Sequence, residues 1–263
     1  MMNRIIAIAI NTFREAIRRR MLYVITALVV GFNLFAMVLG AMSLGEEARV
    51  ARDVSLAGIS LGGSVTAIVL GVILLHSEVQ KRTVHTIICK PIERYEFVLG
   101  KYLGMAITLF ALVFLFTLAL VALLAIQEVP FTVPVAKAIL LAYMEILVVA
   151  AIAVLFSSFS TPYLSGLFTF GLFLLGRVTP EMRAIIDSGK MGAFEDVCRA
   201  ALFFVPDLHL FAVSGGAVKG EYVSVHTEFV TWGYVGMAMG YGLLYLAILL
   251  SLSIAIFARR DFA

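Results

Sequence analysis

Charged residues are scarce in this chain of 263 residues, and their scarcity excludes most soluble folds. Asp, Glu, Lys and Arg make up 14% of the sequence, whereas hydrophobic residues make up 62%, and the mean hydropathy is +1.04. Ordinary soluble domains have roughly 25% charged and about 45–50% apolar residues. Because so few charges cannot cover the surface of a soluble protein of this size, the composition predicts a membrane protein with several spans.

Cysteine and the usual catalytic motifs are also lacking. The two cysteines, Cys89 and Cys198, fall on opposite faces of the membrane in the topology predicted below, so we expect no disulfide. The net charge of +3 gives no support for a nucleic-acid partner. Residues 98–102, VLGKY, lack the upstream Gly and the following Ser or Thr of a Walker motif. We therefore expect no catalytic residue and no cofactor site in this chain.

A metal site is not predicted either. His85 and Cys89 are spaced to share one face of a helix, but a third ligand is needed, and the nearest candidate, His76, lies at a membrane boundary. We interpret all three as ordinary residues of the membrane interface.

Long apolar runs dominate what is present. Six stretches approach or exceed the length of about 20 residues that a helix needs to cross the hydrocarbon layer. They are 21–41, 55–75, 102–126, 139–156, 157–176 and 229–258. In lipid the backbone must satisfy its own hydrogen bonds, and the alternation typical of barrel strands is absent. The predicted fold class is an all-α integral membrane protein, with one transmembrane domain over residues 1–263.

The basic residues predict the orientation, because cytoplasmic loops are enriched in Lys and Arg. With a cytoplasmic N-terminus, most of them fall before the first span, in the 76–101 loop or at the C-terminus, whereas the two short outer turns hold only Arg49, Arg52 and Lys137. We therefore expect both termini in the cytoplasm. A cleaved signal peptide would also begin with Arg residues, but 21–41 is longer than a typical signal core, and five more spans follow.

Residues 2–20 precede the first span and have the pattern of an amphipathic helix. At about 100° per residue, one side carries mainly polar residues and the other side apolar ones. The polar set is Arg4, Asn11, Arg14, Glu15 and Arg18, and the apolar set is Ile6, Ile10, Phe13 and Ile17. Such a helix lies in the interface, with Arg near anionic head groups. The alternative is a basic flank that only sets the topology.

The 76–101 stretch is the largest predicted cytoplasmic loop. Pro91 cannot continue a preceding helix, so we expect it to separate a segment leaving the second span from a short helix, 92–97, entering the third. That short segment combines three charges with apolar and aromatic residues: Ile92, Glu93, Arg94, Tyr95, Glu96 and Phe97. It suits docking to a soluble partner, but a solvated connector has the same composition.

The segment 177–228 lies outside in this topology and is too apolar for a free loop. We expect one or two short helices folded onto the outer ends of the spans, and a partly re-entrant course stays open. A small independent domain is disfavoured because so few residues cannot bury a core alone.

Glu145 is the one acidic residue within a predicted span. Intramembrane acids are costly and point to a partner or to water, which makes Glu145 a functional candidate. It is either a coupling or lining acid of a carrier or a packed structural acid, and we favour the second interpretation. Three glycine pairs with a four-residue spacing allow close helix approach. They are Gly58 with Gly62, Gly100 with Gly104, and Gly236 with Gly240.

Several short motifs, taken in order, resemble permease subunits of type-2 ABC transporters. The N-terminal motif is Asn11-Thr12-Phe13-Arg14-Glu15-Ala16 followed by Arg18-Arg19-Arg20-Met21-Leu22-Tyr23. The loop holds Glu78, Thr83, Lys90-Pro91-Ile92-Glu93-Arg94 and Val98-Leu99-Gly100-Lys101. The C-terminal part holds Pro206-Asp207-Leu208 with Phe211, and then Arg259-Arg260-Asp261-Phe262. Arg82 departs from the pattern, which has Gly before Thr83. The most similar branch is the one associated with maturation of multi-copper enzymes such as nitrous-oxide reductase.

This resemblance implies an exporter built from two six-span subunits, here a homodimer, and two cytosolic ABC ATPase subunits that bind ATP and Mg. It implies a location in the plasma membrane of a bacterium or archaeon. Residues 92–97, with Glu78 and Thr83, would form the coupling element, 4–18 the connecting interfacial helix, and Pro206, Asp207 and Phe211 an outer motif. Two alternatives stay open: a carrier or channel that acts alone through Glu145, and a membrane assembly protein without transport.

Overall fold

The fold is built almost entirely of helices. The computed structural model describes residues 2–18, 47–80, 93–187, 204–212, 214–218, 221–224 and 231–259, together with residues 23, 26, 27, 30–32, 34, 35, 38, 199 and 202. The helices are α1 (Met2–Ile17), α2 (Glu47–Gln80), α3 (Arg94–Ile126), α4 (Val133–Phe159), α5 (Pro162–Arg177), α6 (Thr179–Asp187) and α7 (Trp232–Arg259). A 3₁₀ helix, Leu208–Phe211, and two strands, β1 (Ser214–Val218) and β2 (Glu221–Ser224), lie between α6 and α7.

Within these described parts, four helices are long and apolar enough to cross a membrane. Their apolar segments are Val50–Leu74, Tyr95–Ile126, Val133–Phe159 and Trp232–Ala258. They correspond to the predicted spans 55–75, 102–126, 139–156 and 229–258. The first three helices begin earlier than predicted. In α2 and α3 the helix extends over charged residues that precede the apolar run, and α4 begins with Pro134 in its first turn.

The other two predicted spans have different outcomes. The stretch 21–41 lies largely outside the described residues, as do Cys89 and Cys198. The stretch 157–176 was assigned wrong bounds: residues 157–159 end α4, and a break at Ser160 and Thr161 precedes α5, which starts with Pro162. With 16 residues, α5 is about 24 Å long, which is short for a complete crossing.

Helix α4 forms the centre of the bundle. Each residue from Val148 to Ala153 is completely buried, so no side of this helix segment faces the surroundings. Helices α2, α3, α5 and α7 all pack against α4. A helix that is apolar all round is expected to be enclosed in this way.

Helices α2 and α4 run parallel and approach closely through small residues. A Cβ atom added to Gly71 would lie 2.5 Å from Cβ of Ala153, and one added to Gly63 would overlap the side chain of Ile146. Dispersion forces and hydrogen bonds drive helix association in lipid, so this close approach stabilises the core of the bundle.

One end of the bundle is marked by a contact between α4 and α7. The ring of Trp232 at the start of α7 lies 4.7 Å from Nζ of Lys137, near the start of α4. We call this end of the bundle the Lys137 end and the opposite one the α1 end.

Helix α5 ends inside the bundle, and the following segment fills the space beyond it. Gly176 contacts Pro206 and Leu208, and both Leu208 and Phe211 are almost completely buried. The segment 206–211 is therefore inserted between helices, and the re-entrant course stays a prediction.

A short β-hairpin corrects the all-α prediction for the 177–228 segment. Strands β1 and β2 pair antiparallel, with Val218 opposite Glu221 and Ala217 opposite Tyr222. Two residues separate the strands, a spacing typical of a tight hairpin. The short strands, one of them with two consecutive glycines, gave too weak a signal for sequence analysis. The expected short helices are present as α6 and the 3₁₀ turn.

The contact between α2 and α4 leads to a stability prediction. We expect Gly71→Leu to lower the free energy of unfolding by about 1–3 kcal/mol, because the larger side chain overpacks the interface with Ala153. Gly171→Leu on α5 is the control, since a Cβ atom there meets nothing within 4 Å. The measurement is unfolding of both variants in mixed micelles with increasing SDS. Equal stability of the two variants would contradict the assigned packing.

Candidate functional site

The N-terminal helix α1 packs along the first turns of α3. A Cβ atom added to Gly100 would lie 2.7 Å from Cβ of Ile8, and one added to Gly104 would lie 2.6 Å from Cβ of Thr12. The side chain of Thr12 is buried and donates a hydrogen bond to the carbonyl of Ile8, so its polar atom is satisfied within α1. The pair Gly100 and Gly104 therefore forms the notch that receives α1.

Two ion pairs flank this notch, and the positive charge lies on α1 in one pair and on α3 in the other. Arg4 lies 3.9 Å from the carboxylate of Glu96, and the Lys101 ammonium lies 3.5 Å from the carboxylate of Glu15. Lys101 and Glu96 on α3 are buried, whereas Arg4 on α1 is half exposed. Burial strengthens such pairs because water screens them less. We call these contacts between α1 and α3, from Arg4 with Glu96 to Thr12 with Gly104, the α1–α3 joint.

The same residues start helix α3. The backbone N–H of Glu93 donates to the carboxylate of Glu96, which completes a capping box at the helix N-terminus. Phe97 stacks on Phe257 of α7, with ring centroids 5.8 Å apart. Lys101 Nζ lies 5.9 Å from the centroid of the Phe97 ring. The first turns of α3 thus contact α1 on one side and the end of α7 on another.

Only some of the predicted coupling residues lie in the described part of the chain, and these are not all at the α1–α3 joint. Glu78 lies near the end of α2, and Thr83, Pro91 and Ile92 lie outside the described residues. Glu93 precedes α3, Arg94 is its first residue, Tyr95 is partly buried and Glu96 is buried. The expected separate helix 92–97 is wrong, because α3 continues from Arg94 through Ile126 without a break.

Helix α1 presents three faces rather than the two predicted. Its small residues Ala9, Thr12 and Ala16 are buried at the joint. Ile6, Ile10 and Ile17 remain exposed beside them, and Phe13 is partly buried. Asn11, Arg14 and Arg18 are exposed, whereas Arg4 and Glu15 pair with α3. An exposed apolar face bordered by arginines is typical of a helix at a membrane surface.

A second polar cluster lies inside the bundle around Glu145. Its side chain is completely buried, and the Arg177 guanidinium donates to it from Nε at 3.0 Å. The hydroxyl of Ser60 donates to the other carboxylate oxygen at 2.5 Å, and Arg177 Nη2 donates to the same hydroxyl at 2.6 Å. The cluster joins α2, α4 and the last residue of α5. The Arg177 charge also lies at a helix C-terminus, where cations are favourable.

Sequence analysis found Glu145 but not its partners. Arg177 was assigned to the outer segment because it follows an apolar run, and Ser60 is one of several serines in α2. The available signal was the requirement that a buried acid has a cationic partner. No spacing in the sequence identifies which of the 20 basic residues provides it.

The predicted outer motif forms a third contact region. The Asp207 carboxylate lies 3.2 Å from Nη1 of Arg183. The backbone N–H of Asp207 donates to the hydroxyl of Tyr241 at 2.9 Å. Pro206 contacts Gly176, and Phe211 lies beside Tyr241 of α7. This motif thus anchors the inserted segment to α5, α6 and α7.

Comparison with known protein families shows which family the chain belongs to. The family model described as ABC-2 family transporter protein matches residues 6–262. The chain belongs to this family. The permease is therefore an integral membrane component of an ABC transporter, and members of this family are not catalytic themselves. A comparison with curated proteins finds no match.

The Glu145 cluster leads to a second stability prediction. We expect Arg177→Gln to cost the permease about 3–5 kcal/mol of unfolding free energy, because it leaves the completely buried Glu145 charge without its partner. Glu145→Gln should cost less, because the Arg177 side chain that it leaves unpaired is partly exposed. The double variant should lose less than the sum of the single losses. SDS unfolding in mixed micelles measures all three.

A matched control for these variants is Asp187→Asn. Its partner Arg199 lies 3.3 Å away, and both side chains are mostly exposed. We expect a loss of at most about 1 kcal/mol there. Additive losses at Glu145 and Arg177 would show that the two charges do not interact.

Proposed function

We propose that the permease is the membrane subunit of an ATP-driven exporter and works as a homodimer with two cytosolic ABC ATPases. ATP and Mg are bound by the ATPases, since the chain has no Walker motif. The observation that carries the proposal is the family match over residues 6–262, together with the docking of α1 on the start of α3. Members of this family generally act with an ATPase subunit.

The proposed topology has six spans and both termini in the cytoplasm of a bacterial or archaeal cell, within the plasma membrane. The α1 end then faces the cytoplasm, and the Lys137 end faces outward. Arg14 and Arg18, exposed on α1, support this orientation because basic residues near spans favour the cytoplasmic side.

The proposed coupling element consists of the 81–92 stretch, the end of α2 with Glu78 and the first turns of α3. The ATPases contact this element from the cytoplasm. When they close on ATP, they push on the start of α3, and α1 moves with it because the α1–α3 joint connects them. Rigid-body movement of a helix pair is a common form of such transitions.

Two hydrogen bonds support transmission of this movement to the core. The Tyr102 hydroxyl, next to Lys101, donates to the carbonyl of Leu147 on α4 at 3.0 Å. The Tyr143 hydroxyl on α4 donates to the carbonyl of Ala106 on α3 at 3.1 Å. The two bonds connect α3 with α4 close to Glu145. In this mechanism, α4 passes the displacement to α2 and α5, and the helices reorient across the dimer interface.

The geometry argues against the carrier alternative. A coupling acid must release its partners to bind a proton or substrate, whereas the Glu145 carboxylate is completely buried and held by Arg177 and Ser60. A structural role fits this pairing better. A membrane assembly protein without transport is compatible with the same fold, and the ATPase measurements below distinguish it from an exporter.

The cargo is proposed only by resemblance. The branch associated with nitrous-oxide reductase maturation would suggest a role connected with copper proteins. The spans themselves consist mainly of Leu, Val, Ala, Phe and Ile, without the series of Cys or Met ligands that copper passage requires.

The first functional prediction concerns the ATPase contact. We expect Arg94→Glu to reduce the amount of copurified ATPase by about fivefold, a loss of about 1 kcal/mol in association. The measurement is pull-down of the tagged permease from its native membranes in detergent. Glu128→Arg, at the Lys137 end, is the charge-reversed control. Full association and unchanged ATP turnover in Arg94→Glu would contradict the docking site.

The second functional prediction separates coupling from binding. We expect Gly104→Leu to displace α1 from α3, so that the ATPase still copurifies while permease-stimulated ATP turnover falls by about fivefold. Gly171→Leu should retain the turnover of the unmodified complex. Unchanged stimulation in Gly104→Leu would show that the α1–α3 joint takes no part in coupling. A permease that never alters ATP turnover would support the assembly role.

A further inference from the structure

Several charged groups lie at unexpected depth below the Lys137 end. Lys137 and Trp232 mark the membrane boundary there, as Lys and Trp commonly do. At about 1.5 Å per residue, Glu145 lies about 12 Å along α4 from Lys137, and Tyr241 lies about 13 Å along α7 from Trp232. The hydrocarbon layer is about 30 Å thick, so both residues lie near its middle.

The arginines that pair at this depth are not fully enclosed. Arg177, held by Glu145, is 23% exposed. Arg183 pairs with Asp207, whose backbone is bonded to Tyr241, and the Arg183 side chain is 55% exposed. The ion pair of Arg183 therefore lies at the level of Tyr241, with half of its cationic side chain open to the surroundings.

Contact between lipid and the exposed half of the Arg183 side chain would be energetically costly. A charged group near the bilayer centre costs at least about 2.5–3.5 kcal/mol, and such groups face a protein interior or a water-filled cavity. Arg183 does not reach the interface by extending along a helix end, because its carboxylate partner Asp207 holds it next to α7. An aqueous space beside α6 and the 206–211 segment satisfies both arginines.

A further observation supports water at this position. A cavity of about 270 Å³ opens beside α6 and is lined by Arg183, Ile186, Asp187, Arg199 and Leu202. At about 30 Å³ per molecule it has room for several waters.

We infer that a water-filled vestibule opens at the Lys137 end of the permease, reaches the half-exposed Arg183 and extends toward the partly exposed Arg177. It admits water and small hydrophilic solutes to about 12 Å below the membrane boundary. The Glu145 cluster forms its floor, because the completely buried apolar segment of α4 follows directly toward the α1 end. This inference goes beyond the ATP-driven role and does not depend on it.

Cysteine labelling in intact cells tests the vestibule. In a background with Cys89→Ser and Cys198→Ser, single cysteines are placed at Arg183 and at Asp187, and a membrane-impermeant maleimide is added from the outside. Asp187 lines the same cavity, and its side chain is 72% exposed. Asp187→Cys leaves the ion pairs of Arg177 and Arg183 intact, so it covers the case in which Arg183→Cys fails to fold. The control is Leu244→Cys on α7, which is 62% exposed beside the exposed Leu243 and Ile248 and lies about 18 Å along the helix from Trp232.

The expected result is labelling of both vestibule positions at least about 100-fold faster than Leu244→Cys, since only a hydrated thiol forms the reactive thiolate. Rates as slow as that of Leu244→Cys would overturn the vestibule. Labelling only after solubilisation would also overturn it, because the space would then be covered in the membrane. Labelling only in inverted membrane vesicles would support the vestibule and contradict the proposed orientation, since the Lys137 end would then face the cytoplasm.

Discussion

The hydrocarbon layer offers no hydrogen bonds, so each polar group of this permease has to find its partner in the protein or in water. This constraint explains the long helices, which satisfy their own backbones, and the pairing of the buried acid Glu145 with Arg177 and Ser60. It also explains the tyrosine hydroxyls that bond to carbonyls of neighbouring helices, such as Tyr102 to Leu147. Other hydroxyls are satisfied within their own helix, as Thr12 and Thr108 are by carbonyls four residues earlier.

Small residues decide where the helices meet. Water gives no hydrophobic driving force between helices in lipid, so close backbone approach becomes important. Gly71 brings α2 against α4, and Gly100 and Gly104 bring α1 against α3. The two interfaces have different functions in the proposed mechanism. The first belongs to the enclosed centre, whereas the second joins a surface helix to the helix that the ATPases are proposed to push.

Much of the fold could be predicted from the sequence, because apolar runs and basic residues respond directly to the bilayer. Four of the six predicted spans match helices of sufficient length, and α1 was expected with almost its observed bounds. The hairpin β1–β2 was missed, since its strands are short and one contains two glycines. The start of α3 was misplaced because residues 92–97 were assigned to a separate short helix, whereas Glu93 and Glu96 cap a helix that continues to Ile126.

The sequence by itself determined that this chain enters a membrane, which segments are helical and that Glu145 needs a partner, because these properties follow from local composition. Only the tertiary structure decided that Arg177 is this partner, that α1 binds the glycine notch of α3, and that Asp207 and Arg183 lie deep below the Lys137 end. Each of these contacts joins residues far apart in the chain. Which residues meet depends on how deeply α5 and the 206–211 segment are inserted, and packing of the whole bundle sets that depth.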